Sequence, residues 1–92
     1  MGIQIESGTP VNLTSSGAIS LRTGYLLGFY VSSTTAGTIV LVNGGSGGTA
    51  ISGTITPAVG WHRYPAYFNN SSGAYATIGG AALNVTFIFQ AE

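Results

Sequence analysis

Gly24-Tyr25-Leu26-Leu27-Gly28-Phe29-Tyr30-Val31, then Ser32-Ser33-Thr34-Thr35-Ala36-Gly37, then Thr38-Ile39-Val40-Leu41-Val42-Asn43, is the stretch that decides the fold. Apolar runs of this length, rich in β-branched and aromatic residues and bounded by turn formers, read as strands. Residues 25–31 and 38–42 are expected to pair as a hairpin across the polar turn 32–37. With strict alternation, Tyr25, Leu27, Phe29 and Val31 fall on one face, and Leu26, Gly28 and Tyr30 on the other. Both faces are then apolar or aromatic, whereas a strand with one wet face alternates apolar with polar. Cover on both sides is expected, from elsewhere in the chain or from another copy of it.

Shorter runs flank this stretch. Residues 3–6 alternate Ile3 and Ile5 with Gln4 and Glu6; Val11 and Leu13 alternate with Asn12 and Thr14; Ile19 and Leu21 face away from Ser20 and Arg22. On the C-terminal side, 43–48 is a glycine-rich loop and 49–56 a Thr- and Ile-rich strand ending at Pro57. Residues 61–68 form an aromatic strand whose Pro65 calls for an edge position or a bulge. A short strand at 75–78 precedes the last one, 83–90, with Leu83, Val85, Phe87 and Phe89 on one face. No segment carries a helical period. About eight short strands with a turn between each predict an all-β fold, a small single-domain antiparallel β-sandwich or jelly roll over 1–92. Residues 1–23 supply either its first strands or an N-terminal arm.

Charge is nearly absent. Glu6, Arg22, Arg63 and Glu92 are the whole charged set, 4% of 92 residues, against about 25% in ordinary soluble domains. A surface this neutral has no basic patch to neutralise phosphates, which excludes nucleic acid as partner, and none to dock on anionic membranes. There is no cysteine for disulfides or thiolate metal sites, and no run of about 20 apolar residues for a spanning helix. The opening MGIQIESG lacks the features of a secretion signal. The Asn-x-Ser/Thr patterns at Asn12, Asn69, Asn70 and Asn84 are accordingly read as coincidence.

Catalytic and cofactor chemistry finds no footing. Gly45-Ser46-Gly47-Gly48-Thr49-Ala50 loosely fits a dinucleotide loop, but that loop works only where it opens a helix, and a strand is predicted after it. Paired carboxylates could only be Glu6 and Glu92, and His62 has no aspartate to orient it. No catalytic residue, metal ligand or cofactor is therefore assigned, and no enzyme is expected. The informative cluster is Trp61-His62-Arg63-Tyr64-Pro65-Ala66-Tyr67-Phe68. As a strand it places Trp61, Arg63 and Tyr67 on one face and His62, Tyr64 and Phe68 on the other. Trp, Tyr and Arg are the types enriched at binding hot spots, so Tyr30, Trp61, Arg63 and Tyr64 are the candidate interface residues. The plainer alternative is a second core strand with Arg63 laying its stem along apolar surface; a sugar-stacking platform is a third.

The stretches 24–31 and 35–42, with Gly53-Thr54-Ile55-Thr56-Pro57, Tyr64-Pro65, Ala76-Thr77-Ile78-Gly79-Gly80 and the terminal run 83–89, resemble small virion proteins of tailed bacteriophages. The resemblance covers roughly 24–90 and is carried by short motifs of common β residues; Trp61-His62-Arg63 departs from it in being more aromatic and basic. It implies a non-enzymatic capsid decoration or head-fibre subunit located in the virion, oligomeric and expected as a homotrimer, with itself and a major capsid or other virion protein as partners. The competing expectation is a module on a fibre or tail that recognises host-surface glycan.

Overall fold

A computed structural model describes residues 8–92, so the strand expected at residues 3–6 lies outside the described residues. Eight strands follow in order: β1 (Thr9–Leu13), β2 (Gly17–Ser20), β3 (Gly24–Thr35), β4 (Thr38–Asn43), β5 (Thr49–Ala50), β6 (Gly60–Phe68), β7 (Ala74–Gly79) and β8 (Ala82–Ala91). They form two antiparallel four-stranded sheets, ordered β1-β8-β3-β6 and β2-β7-β4-β5. The outermost pairings nest, first strand with last, β2 with β7, β3 with β6 and β4 with β5. A chain that folds back on itself once and then wraps around two layers gives this order, which is that of a jelly roll. The all-β sandwich expected from the sequence is the observed fold, and β1 and β2 are strands of its two sheets.

The inner faces meet in one core. Leu26, Phe29 and Val31 from β3 pack with Val85, Phe87 and Phe89 from β8, against Ile39 and Leu41 from β4 and Ala74 and Ala76 from β7. Phe29 and Phe87 lie with ring centroids 5.7 Å apart and tilted by 53°. Phe68 and Phe89 are 6.0 Å apart at 56°. Both pairs are in the tilted range that the ring quadrupole favours. Among the described residues, no polar or charged side chain is buried in this core, so apolar burial, worth about 1.5–3 kcal/mol per large side chain, holds the two layers together.

Several sequence expectations are corrected. The runs 25–31 and 38–42 do not form a hairpin: β3 pairs with β8 and β6, β4 with β7 and β5. β3 continues through Ser32–Thr35, and the turn shrinks to Ala36-Gly37, where Ala36 takes φ 51° and the Gly37 N–H donates to Thr34 Oγ1 at 3.1 Å. That tight connection carries the chain from one sheet to the other instead of back along the same one. Alternation also fails within β3. Leu26 faces Phe89 and Gly28 faces Ile88, so Leu27 is an extra residue, a bulge. The bulge flips the faces, burying Leu26, Phe29 and Val31 and leaving Tyr25 and Tyr30 outside.

The long strand expected at 49–56 is only β5. Past it, the Leu41 N–H donates to the Ser52 hydroxyl at 2.9 Å in place of a ladder carbonyl, and the chain rejoins β4 through an isolated Ile39–Ile55 bridge. Leu21, expected to be buried beside Ile19, is 77% exposed because β2 ends one residue before it. The aromatic strand β6 is the edge of its sheet, with a register break between Ala66 and Arg63 that takes in Tyr64 and Pro65, as the proline required.

Phe87→Ala is expected to lower the unfolding free energy by about 3–5 kcal/mol, measured by denaturant titration. Leu21→Ser should stay within about 0.5 kcal/mol of the parent chain. Similar losses in both would contradict the core assigned here.

Candidate functional site: the aromatic outer face

The outer face of the β1-β8-β3-β6 sheet is built in rows that cross the strands. Register places Gln90, Tyr25 and Tyr67 in one row, Pro10, Ile88, Gly28 and Arg63 in the next, and Asn12, Thr86, Tyr30 and Trp61 in a third. The rows run from polar or aliphatic groups on β1 and β8 to aromatic or basic groups on β3 and β6, with Gly28 the exception on β3. The aromatic half is open: Tyr25, Tyr30, Trp61 and Tyr67 are 46–50% exposed. With each such side chain offering about 150–250 Å² in all, four half-exposed rings present roughly 400 Å² of aromatic surface. That is as large as the largest contiguous patch on a typical monomer, and patches of this size mark interaction sites.

Gly28 shapes the centre of the patch. A Cβ there would fall on the His62 carbonyl oxygen and within 2.8–2.9 Å of Trp61 Cη2 and Cζ2. The far edge of the indole therefore lies over the β3 backbone at a position where any side chain would lift it. Beside it, Tyr30 is the direct cross-strand partner of Trp61. Further along, the Tyr25 and Tyr67 rings sit 4.7 Å apart at 37°.

The rims of the face are polar. Asn12 Nδ2 donates to Asn84 Oδ1 at 2.7 Å and lies 3.1 Å from Thr86 Oγ1. These links tie β1 to β8, and two of the three residues are the asparagines of Asn-x-Thr patterns. At the opposite corner the Tyr67 hydroxyl donates to the Glu92 carboxylate at 2.8 Å, and Arg22 Nη2 donates to the Glu92 backbone carbonyl at 2.9 Å. The hydrogen bond to Glu92, the desolvation of the phenol and the nearby negative charge all hold the Tyr67 pKa above its ordinary 10.0. They do so by favouring the protonated, donating form.

Of the four candidate interface residues, Tyr30, Trp61 and Arg63 share this face. Tyr64 is on the inner side of β6 and packs against the core. The sequence period already separates Tyr64, with His62 and Phe68, from Trp61 and Arg63, and the structure keeps that division; Tyr64 therefore does not share the open face with the other three candidates. His62 is half-buried on the inner side, its ring 5.3 Å from Phe29 and its Nε2 2.7 Å from the Ala58 carbonyl. The glycine-rich segment at 44–48 joins β4 to β5, two strands. Gly28, Tyr25 and the Asn12–Asn84–Thr86 rim were missed. A glycine inside an aromatic strand was the available signal for close approach, whereas the bulge at Leu27 left none.

Neither a family model, nor a curated protein, nor a solved structure matches this chain.

Gly28→Ala is expected to displace the indole and red-shift the emission of Trp61, the chain's one tryptophan. An unchanged spectrum with the fold intact would contradict the assigned contact. In alkaline titration followed by tyrosinate absorbance, Tyr67 should ionise after a tyrosine of ordinary pKa, and Glu92→Gln should lower its midpoint. Because its folded pKa is raised, its contribution to stability is full below the ordinary tyrosine pKa and fades as pH climbs through the folded value.

Proposed function

We propose that this chain is a non-enzymatic structural component of a phage virion, a homo-oligomeric capsid decoration or head-fibre subunit that works by burying the aromatic face of its β1-β8-β3-β6 sheet against neighbouring protein. The observation that carries the reading is the co-location of Tyr25, Tyr30, Trp61 and Tyr67 on one face of a chain that has four charged residues. Net charge near zero gives a free monomer little protection against association, and an exposed aromatic patch adds to that liability. In a permanent assembly the same surface is an advantage. A standard interface takes about 800 Å² from each partner; the four rings offer roughly half of it, and Leu27, Arg63 and Ile88 extend the patch.

The arrangement also has the anatomy of an interface. The aromatic half lies along β3 and β6, with the amide and hydroxyl groups of Asn12, Asn84 and Thr86 at one side, an apolar centre beside a polar rim. A trimer is the stoichiometry proposed, with the major capsid protein or another virion protein as the second partner.

A second reading is favoured by one specific feature, the indole of Trp61 held down over Gly28. A flat exposed ring with amide and hydroxyl groups in the same row also suits the apolar face of a sugar, as in a glycan-recognition module on a fibre or tail. Native mass measurement at low micromolar concentration separates the two. A trimer that falls to monomer in Tyr30→Ser/Trp61→Ser, with the fold retained, is the expected result. A monomeric parent chain whose Trp61 emission shifts on titration with neutral oligosaccharides would replace assembly by glycan recognition.

A further inference from the structure

Asn43-Gly44 is the one Asn-Gly pair in the sequence, and it is the most labile dipeptide of the chain on chemical grounds. Glycine leaves its own amide nitrogen unshielded by a side chain, so that nitrogen can reach the preceding asparagine's Cγ. The fold places this pair under three separate restraints. Asn43 is the last residue of β4 and sits between Thr49 on one side and Ala74 on the other, so its backbone is held extended within the sheet. The Gly44 N–H, the group whose nitrogen would attack, donates to the Gly73 carbonyl at 2.8 Å. The Asn43 carboxamide, the group that would be attacked, is pinned at both ends: Nδ2 donates to Asn69 Oδ1 at 2.9 Å, and Oδ1 accepts the Asn70 N–H at 3.2 Å.

We propose that Asn43-Gly44 is a fold-gated deamidation site, silent while the 69–73 turn clips it and reactive when that end of the sandwich opens. In the open state the deprotonated Gly44 nitrogen attacks Asn43 Cγ. A C–N bond forms, the Cγ–Nδ2 bond breaks, and Nδ2 leaves as ammonia with protons from the amide and the solvent. Water then opens the resulting cyclic imide at either carbonyl, giving aspartate or isoaspartate at position 43. The balance is one amide and one water converted to one acid and one ammonia, with no redox step.

The opening unit is small. β5 has two residues at the sheet edge, and the loop before it holds Gly45 and Gly47 in open space. Short, edge-lying, glycine-rich segments open at far lower cost than core strands. When opening and closing are fast, reaction through the open form tracks its population.

The product cannot simply re-close. A carboxylate at 43 has no N–H to offer Asn69 Oδ1, so the original clip is lost and the Asn69 carboxamide must turn over to present its own N–H instead. Isoaspartate adds a methylene to the backbone inside the strand and breaks its register with both Thr49 and Ala74. A transient opening is thereby made permanent. The site is a one-way latch at the end of the sandwich where the 69–73 turn also abuts Ser20 and Leu21.

The test is mass spectrometry with peptide mapping over time in mildly alkaline buffer, on the full chain and on a peptide of residues 39–49. The peptide should gain about one mass unit and split into two isomers. The native chain should react at least about tenfold more slowly, and Asn69→Ala about threefold or more faster than the parent, at unchanged circular dichroism. A native chain reacting at the peptide's rate, a peptide that does not react, a folded Asn69→Ala with the parent's rate, or a product at another asparagine would each overturn the assignment. Should Asn69→Ala not fold, the native chain against the denaturant-unfolded chain carries the same comparison.

Discussion

The pairing of β3 with β8 is the constraint on which the rest of the molecule depends. β3 is an interior strand held by β8 on one edge and β6 on the other, and its inward residues Leu26, Phe29 and Val31 meet the inward row Val85, Phe87 and Phe89 of β8 with almost nothing left exposed. Placing the last strand beside the third forces the first onto the outer edge of the last and the sixth onto the outer edge of the third. With the second and seventh strands paired in the other layer, the jelly-roll order follows. The bulge at Leu27 makes this possible without exposing Phe29, because it resets the alternation between Leu26 and Phe29 so that both point inward. The same reset sends Tyr30 outward, to the side that Tyr25 already faces. Inward Phe29 and outward Tyr30 are thus two consequences of one inserted residue.

The outer face inherits its character from that arrangement. Strands β3 and β6 carry aromatic residues outward, β1 and β8 carry amides, hydroxyls and an isoleucine, and the sheet order places the two kinds in separate halves. Gly28 sits where the halves meet, and its missing side chain is what brings the Trp61 ring down onto the backbone. Few charges interrupt the surface. Arg63 is in the patch, and Glu92 accepts from the Tyr67 hydroxyl at its corner, so the face offers ring surface and hydrogen-bonding groups with little long-range electrostatics to steer or repel a partner.

Much of this was legible in the sequence, and the exceptions have definite causes. Alternation in 83–90 named the whole inward row of β8, because no bulge interrupts it. Pro65 announced an edge strand, since a residue without an N–H cannot serve a central one. Trp61, Arg63 and Tyr67 were grouped on one face by period alone. Alternation failed in β3 because an extra residue at Leu27 inverts the side chains that follow it, as far as a second register shift between Val31 and Ser33, and a bulge that is not a glycine leaves no mark in composition. The hairpin expectation failed because Ala36-Gly37 is equally good turn chemistry for a return within one sheet and for a crossing to the other. The strand overestimated at 49–56 was lost to Ser52, whose hydroxyl replaces a backbone acceptor, a substitution that only the fold can reveal. The same period put Tyr64 on the opposite face, which is the inner one, but its choice as a contact residue did not use that, because an aromatic next to Pro65 reads equally well as contact or core.

The account turns on whether the aromatic face is covered in the working form of the protein, and Trp61 is placed to report it directly. Collisional quenching of its fluorescence by a neutral quencher, measured on the full chain across a dilution series with mass followed in parallel, is the decisive measurement. The account predicts a quenching constant that falls as the chain assembles, with the change centred at the concentration where the mass rises. An assembly whose Trp61 stays as accessible as in the monomer would contradict it, because the chain would then be associating through some other surface.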